Sequence, residues 1–455
     1  MVGERAKGRF AESFSRLRRR AHLGRRDPYE LHLDPSLRPR DVERIGVALD
    51  SVLAQREPVT RRLMASAVLS AYDKLNDTGR VRFFERMSEQ LAPDVAAVDA
   101  AIETVRTSRT PNDRVAAERE LRRVLTPSYA RLFHVLTGLP EGVKLLIDLR
   151  ADLLACRGDD PSLRRLDDEL AGHLSTVFDV GLLELQLITW ERSPAALLEK
   201  LIAYEAVHEI GSWDDLKYRL EGAQRCFAFI HPAMPDEPLI FVEVALTRGI
   251  AGNLPVLLGH AEGETGTAEG DTAIFYSITS CQPGLAGIQL GNELIKHVVE
   301  RLRRDEPGLR NFATLSPIPD FRPWVERQLA GGDVTPGERA AFQDDLGSVR
   351  KLVNAQQVQH APDGIRVGLL SMCARFLTEQ GQTRSADSVA NFHLSNGARI
   401  ERLNWLANPA PYEIDRSFGI MANYRYDLGT IAVNVNEYLQ SGTIDAASGV
   451  RELVR

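Results

Sequence analysis

Apolar positions fall into two textures along the 455-residue chain. Up to about Phe178 they recur with the spacing of helix faces. Ile45, Leu49, Val52 and Leu53 stand at i, i+4, i+7 and i+8, one buried stripe of a helix. Asp41, just ahead of them, is placed as an N-cap. Similar stripes cover residues 63–75, 115–125 and 145–154, and Pro58, Pro93, Pro111 and Pro140 stand between them, where helices stop or start. No fixed period repeats, so a solenoid is not indicated. This part reads as an all-α helical bundle, residues 1–178, without visible chemistry.

Beyond Phe178 the runs shorten and become β-rich. Phe227-Ala228-Phe229-Ile230, residues 239–246 and residues 273–278 read as strands, with a Gly- and Glu-rich exposed loop over 261–271. A glycine-punctuated turn follows. It leads into a helix faced by Leu294, Ile295, Val298, Val299 and Leu302, and then into a strand over 311–315. Strand, glycine turn, helix and strand make a βαβ unit. Residues 336–382 turn helical again, which predicts a helical insertion or lid over about 321–385. Asn391-Phe392-His393-Leu394 and Met421-Ala422-Asn423-Tyr424 read as two further strands. The fold class is therefore α+β: a helical bundle followed by a mixed α/β domain over residues 179–455.

Composition narrows the function. A net charge of -7 gives no support to nucleic-acid binding, which shows a basic surplus. No apolar run approaches the ~20 residues of a membrane span. Cys156, Cys226, Cys281 and Cys373 are scattered and form no closely spaced pair, which argues against a structural zinc and for free thiols in a reducing compartment. The stretch from Arg5 to Arg26 is Arg-rich, with Phe10 and Phe14 among the charges. It reads as a basic first helix of a cytoplasmic protein, or as a transit peptide to an organellar matrix.

The segment Gln282-Pro283-Gly284-Leu285-Ala286-Gly287-Ile288-Gln289-Leu290-Gly291-Asn292 joins strand to helix. Glycines let a backbone approach a phosphate closely, and a helix start offers free N–H groups and partial positive charge. Acetyltransferases of the GNAT class hold the coenzyme A diphosphate at such a turn, although their pattern is matched only loosely here. The spacing of Gly284, Gly287 and Gly291 is neither the dinucleotide fingerprint nor a P-loop.

Several ordered segments together resemble malonyl-CoA decarboxylases. They are Glu205-Ala206-Val207-His208, Val244-Ala245-Leu246-Thr247, Ala273-Ile274-Phe275-Tyr276-Ser277-Ile278 with the glycine turn and Leu294-Ile295-Lys296, then Thr314-Leu315-Ser316-Pro317-Ile318-Pro319. Asn391-Phe392-His393-Leu394-Ser395-Asn396-Gly397-Ala398, Asn404-Trp405 and Met421-Ala422-Asn423-Tyr424-Arg425-Tyr426 complete the set. The resemblance implies a helical domain used in homo-oligomer assembly, as dimer or tetramer, and a GNAT-like catalytic domain. It also implies catalysis by Ser316 and His393, with malonyl-CoA held by the turn from Ala286 through Gly287, Ile288, Gln289, Leu290 and Gly291 to Asn292. Ser277 and Tyr424 are candidate lining residues. Two departures stand out: Gln289 replaces a Glu and Asp320 replaces a Gly.

Decarboxylating malonyl-CoA to acetyl-CoA and CO2 calls for no metal and no organic cofactor, because the thioester carbonyl β to the carboxylate accepts the electron pair. The protein must align the breaking bond, stabilise the enolate oxygen and deliver one proton to carbon. His393, protonated beside an anionic substrate, is expected to supply that proton, and Ser316 to position the carboxylate or enolate. Two other readings use the same features: a CoA-dependent N-acyltransferase and a non-catalytic malonyl-CoA sensor. His208 and His231 are taken as structural.

Overall fold

The computed structural model describes residues 29–260, 270–288, 290–331, 352, 354–378, 385 and 387–454. The basic stretch before Tyr29, most of the acidic loop and Gln289 lie outside them. By contacts the chain divides into two compact units. The first holds Met1–Glu184 with Ile230–Leu239 and Gln282–Gln289; the second holds Leu185–Phe229, Ile240–Cys281 and Leu290–Arg455.

Among the described residues, eight helices build the first unit: α1 (Pro39–Ala54), α2 (Pro58–Asp73), α3 (Asp77–Gln90), α4 (Val95–Thr107), α5 (Pro111–Leu125), α6 (Ser128–Thr137), α7 (Gly142–Cys156) and α8 (Pro161–Val177). Proline opens α1, α2, α5 and α8, where its missing N–H costs no hydrogen bond. Asn76, Asp94, Thr110 and Asp160 cap their helices with side-chain oxygens. Asp41 is not the cap expected of it. With Pro39 opening α1, it falls in the first turn, where its carboxylate accepts from the Asp34 N–H and from Arg44. The helix α7 is buried on every side over Val143 to Arg150, so it is the unit's central rod. By contrast, α4 and α5 bury only Ala101 and Ala117.

The strands of the sheet are β1 (Glu184–Ile188), β2 (Gln224–His231), β3 (Met234–Thr247), β4 (Thr272–Ser280), β5 (Asn311–Thr314), β6 (Ser316–Pro317), β7 (Arg399–Asn404) and β8 (Met421–Arg425). Its order is β1-β2-β3-β4-β5-β8-β6, with β7 paired to β8. Two helices, α9 (Ala195–Tyr204) and α10 (Trp213–Leu220), precede β2, and a short α11 (Leu254–Leu257) follows β3. Parallel pairing of β4 with β5 needs a crossover, and α12 (Leu290–Asp305) supplies it, so the βαβ unit read from the sequence is present. β8 then pairs antiparallel with both β5 and β6. Apolar side chains from these strands and from α11, among them Ile274, Tyr276, Leu315 and Met421, form one buried cluster.

Past Pro317 the described residues are mostly helical: α13 (Phe321–Gly331), α14 (Ala355–Gln359), α15 (Asp363–Thr378) and α16 (Ser388–Ser395). Residues α17 (Pro411–Ser417), α18 (Ile431–Ser441) and α19 (Ser448–Leu453) complete the chain. One expectation is overturned here. Asn391 to Leu394 form not a strand but the body of α16, because the Asp387 carboxylate accepts from the Val389 and Ala390 N–H groups and starts a helix there.

Candidate functional site

Thr314 ends β5 and Ser316 opens β6. Two positions apart on extended backbone, their hydroxyls face the same way. Register then fixes what lies beside them: Ser316 pairs with Ala422 of β8, and the Tyr424 N–H donates to Thr314 Oγ1 at 3.2 Å. The Asn423 amide braces the same backbone by donating to the Thr314 carbonyl at 2.7 Å. From the other side, α16 delivers His393 in its last turn. Ser316 Oγ and His393 Nε2 meet at 3.0 Å, although 77 residues separate them in the chain.

Proton placement follows from counting donors. The Ser316 hydroxyl has one proton, and it donates that proton to Thr314 Oγ1 at 2.8 Å. The contact with His393 therefore requires Nε2–H as the donor, which leaves Nδ1 to accept. Nδ1 lies 2.8 Å from the Tyr426 hydroxyl, which donates to it. The result is a directed string running from Tyr426 O–H to His393, to Ser316 and to Thr314. All four side chains are buried. Burial pushes His393 down to about 3, so the imidazole is neutral. Among the described residues, no carboxylate is hydrogen-bonded to the ring. Burial raises the Tyr426 phenol, which keeps it protonated as a donor.

Tyr424 lies on β8, two positions before Tyr426, which follows the end of the strand. Its ring stacks on the His393 imidazole, with centroids 4.6 Å apart and planes at 25°. Its buried hydroxyl has no hydrogen-bond partner among the described residues. Asp387, which starts the helix carrying His393, is fully buried, and burial lifts its carboxyl to about 6 against the pull of its backbone donors. Tyr426 also lines a cavity of about 170 Å³ together with Lys296, Arg303 and Asn396.

The other sequence candidates sort as follows. Ser277 is buried and donates to the Glu205 carboxylate at 2.8 Å, with no hydrogen bond to Ser316 or His393. Ala286 and Gly287 are exposed, Ile288 is half-buried and Leu290 is buried. Gly287 has φ +83, a conformation that side chains disfavour, and an added Cβ would meet only open space. Gly291 and Asn292 lie in the first turn of α12. A Cβ on Gly291 would come within 3.0 Å of the Phe392 ring, the residue beside His393, so glycine lets this helix start close on α16. Thr314 and Tyr426 were not singled out from the sequence as site residues. The signal was available, since each stands two positions from a residue that was. Among the described residues, no three His, Cys, Asp or Glu side chains are grouped so as to hold a metal ion, and none of the four cysteines is in a disulfide.

Comparisons with known proteins agree across the chain. The family described as malonyl-CoA decarboxylase C-terminal domain matches residues 181–455, and its N-terminal counterpart matches residues 91–178. A relative from Anser anser anser named "Malonyl-CoA decarboxylase, mitochondrial" is 37% identical over 361 residues, 74% of this chain and 71% of its own length. One of the same name from Rattus norvegicus is 32% identical over 431 residues, 88% of this chain and 87% of its own. The crystal structure of malonyl-CoA decarboxylase from Agrobacterium vitis is 37% identical, with a TM-score of 0.83, covering 90% of this chain and 100% of that one. The one from Rhodopseudomonas palustris is 36% identical, with a TM-score of 0.80 and coverage of 90% and 99%.

Proposed function

The chain belongs to the malonyl-CoA decarboxylase family, and from that premise we propose that Ser316 and His393 carry out a decarboxylation that needs no metal or organic cofactor. The substrate's C–C bond breaks, CO2 leaves, and the electron pair passes into the thioester carbonyl as an enolate. Ser316 meets the acyl end. Its hydroxyl turns from Thr314 toward the developing enolate, while Thr314 holds the oxygen in place. His393 stands behind it as the source of the proton.

The neutral state of His393 shapes the protonation step. As the Ser316 proton moves to the enolate carbon, the Nε2–H proton replaces it on Oγ, and the Tyr426 hydroxyl proton moves to Nδ1. No imidazolium has to exist beforehand. The enolate carbon is a far stronger base than a phenolate, so the transfer runs downhill despite the buried phenol. Each turnover consumes one proton, and Tyr426, on the wall of the cavity with Lys296 and Arg303, is placed to recover it from solvent. Tyr424 covers the face of the imidazole. The glycine turn from Ala286 to Asn292 is assigned to the coenzyme A diphosphate.

The observation that carries this reading is the contact of Ser316 with His393. Incubation with malonyl-CoA alone tests it. One CO2 and one acetyl-CoA per malonyl-CoA consumed, without any amine acceptor, is the expected result. Binding without turnover contradicts it, and so does turnover that waits for an amine.

A further inference from the structure

The turn assigned to the diphosphate is fastened to the helical unit by one side chain. Arg150 lies on the buried face of α7 and is 5% exposed. Its Nη1 donates to the carbonyls of both Gly284 and Ala286, each at 2.8 Å, across more than 130 residues of sequence. Its Nε donates to Asp167 of α8 at 2.8 Å, and Arg157 approaches the other oxygen of that carboxylate at 3.5 Å. Gly284 makes the approach possible, because a Cβ there would stand 1.9 Å from the Ile147 carbonyl oxygen. The guanidinium is thus gripped at one edge by a carboxylate and at the other by the turn, a use of its rigid fork that no lysine reproduces.

The consequence for the turn follows from peptide geometry. In a planar trans peptide the C=O and the following N–H point in opposite directions, and no peptide bond among the described residues is cis. With the Ala286 carbonyl locked onto Arg150, the Gly287 N–H must aim away from α7. Gly287 is exposed, and its N–H has no acceptor among the described residues. The neighbouring Leu285, Ala286 and Ile288 N–H groups are already bound to Gln282, Pro283 and Leu285 carbonyls. Arg150 therefore turns carbonyl oxygens away from an anion and presents a donor to it. The Arg150, Arg157 and Asp167 cluster also leaves one net positive charge behind the turn.

We propose that Arg150 is a positioning residue for substrate binding, by which the helical unit sets the diphosphate-binding conformation of the Gly284–Gly287 turn. This rests on assigning that turn to the coenzyme A diphosphate. Kinetics of the full chain on two thioesters test both. Malonyl-CoA carries the diphosphate; malonyl-N-acetylcysteamine lacks it. Arg150→Met should raise KM for malonyl-CoA by ~10-fold or more with kcat within ~2-fold, the mark of lost uniform binding. Its kcat/KM on malonyl-N-acetylcysteamine should stay at the wild-type value. Arg150→Lys keeps a cation beside Asp167, so the buried carboxylate stays paired and the chain stays folded. It should show the same pattern with a smaller rise in KM, because it keeps the cation while losing the fork. The inference is overturned if KM for malonyl-CoA is unchanged in the folded variants, or if both thioesters lose equally. The turn assignment itself fails separately, if the wild-type protein uses the two thioesters with equal KM.

Discussion

Two histidines of the second unit have nearly the same surroundings and different prospects. His208 and His393 are each 2% exposed, and burial pushes each down to about 3. In both, Nδ1 faces a tyrosine hydroxyl, Tyr412 at 3.2 Å for His208 and Tyr426 at 2.8 Å for His393. The difference lies at Nε2. His208 meets the backbone carbonyl of Tyr276 at 3.1 Å, which can only accept, so its proton is fixed and goes nowhere. His393 meets a serine hydroxyl, which accepts with one lone pair and can pass on its own proton. A perturbed pKa is thus shared by a histidine whose proton is fixed and by the one proposed for catalysis. What separates them is whether the partner can pass a proton on.

The largest effects should fall on activity. His393→Ala and Ser316→Ala should each lower kcat on malonyl-CoA by ~100-fold or more, the usual scale for general acid–base groups. His208→Gln should keep kcat within about 3-fold and instead cost about 1–3 kcal/mol of stability in urea unfolding, the scale of a buried group losing its hydrogen bond. Equal activity losses at the two histidines would abolish the distinction. The tyrosines sharpen it. Tyr426→Phe, which leaves Nδ1 without a donor, should lower kcat about tenfold, or ~1.4 kcal/mol in the barrier. Tyr412→Phe should turn over at close to the wild-type rate, by the same steady-state assay.

A pH effect on stability should be common to both. A histidine whose folded pKa lies below its unfolded value of about 6.5 stabilises the fold above that pH, and the contribution is lost as pH falls toward 3. Replacing either one with Gln should remove about 2 kcal/mol from the fall in unfolding free energy between pH 7 and pH 5. A variant whose pH dependence matches the wild type's would contradict the buried, neutral assignment for that ring.

Legibility from the sequence followed the range of the interactions involved. Helix stripes and proline boundaries are local, and α1, α2, α5 and α7 stand where period and Pro placed them. The βαβ unit was equally legible, because strand, turn and helix succeed one another. The four residues Asn391 to Leu394 were misread because so short an apolar run fits both periods, and the deciding feature was the cap at Asp387, four residues upstream of Asn391. Ser316 and His393 came from resemblance, since nothing local marks a Ser-Pro or a Phe-His as chemical. Arg150 could not be read at all. It stands among apolar residues in the middle of a helix, and neither its burial nor its partners at Gly284 and Ala286 leave a local trace.

The reading depends most on Ser316 and His393 acting as one string. A double-mutant cycle measures this directly, with kcat for malonyl-CoA determined for wild type, Ser316→Ala, His393→Ala and the double variant. Groups that act as a unit give strongly non-additive losses, so the double variant should be no more than about 3-fold slower than the slower single one. If the two losses multiply instead, the side chains work independently and the proposed string does not carry the proton.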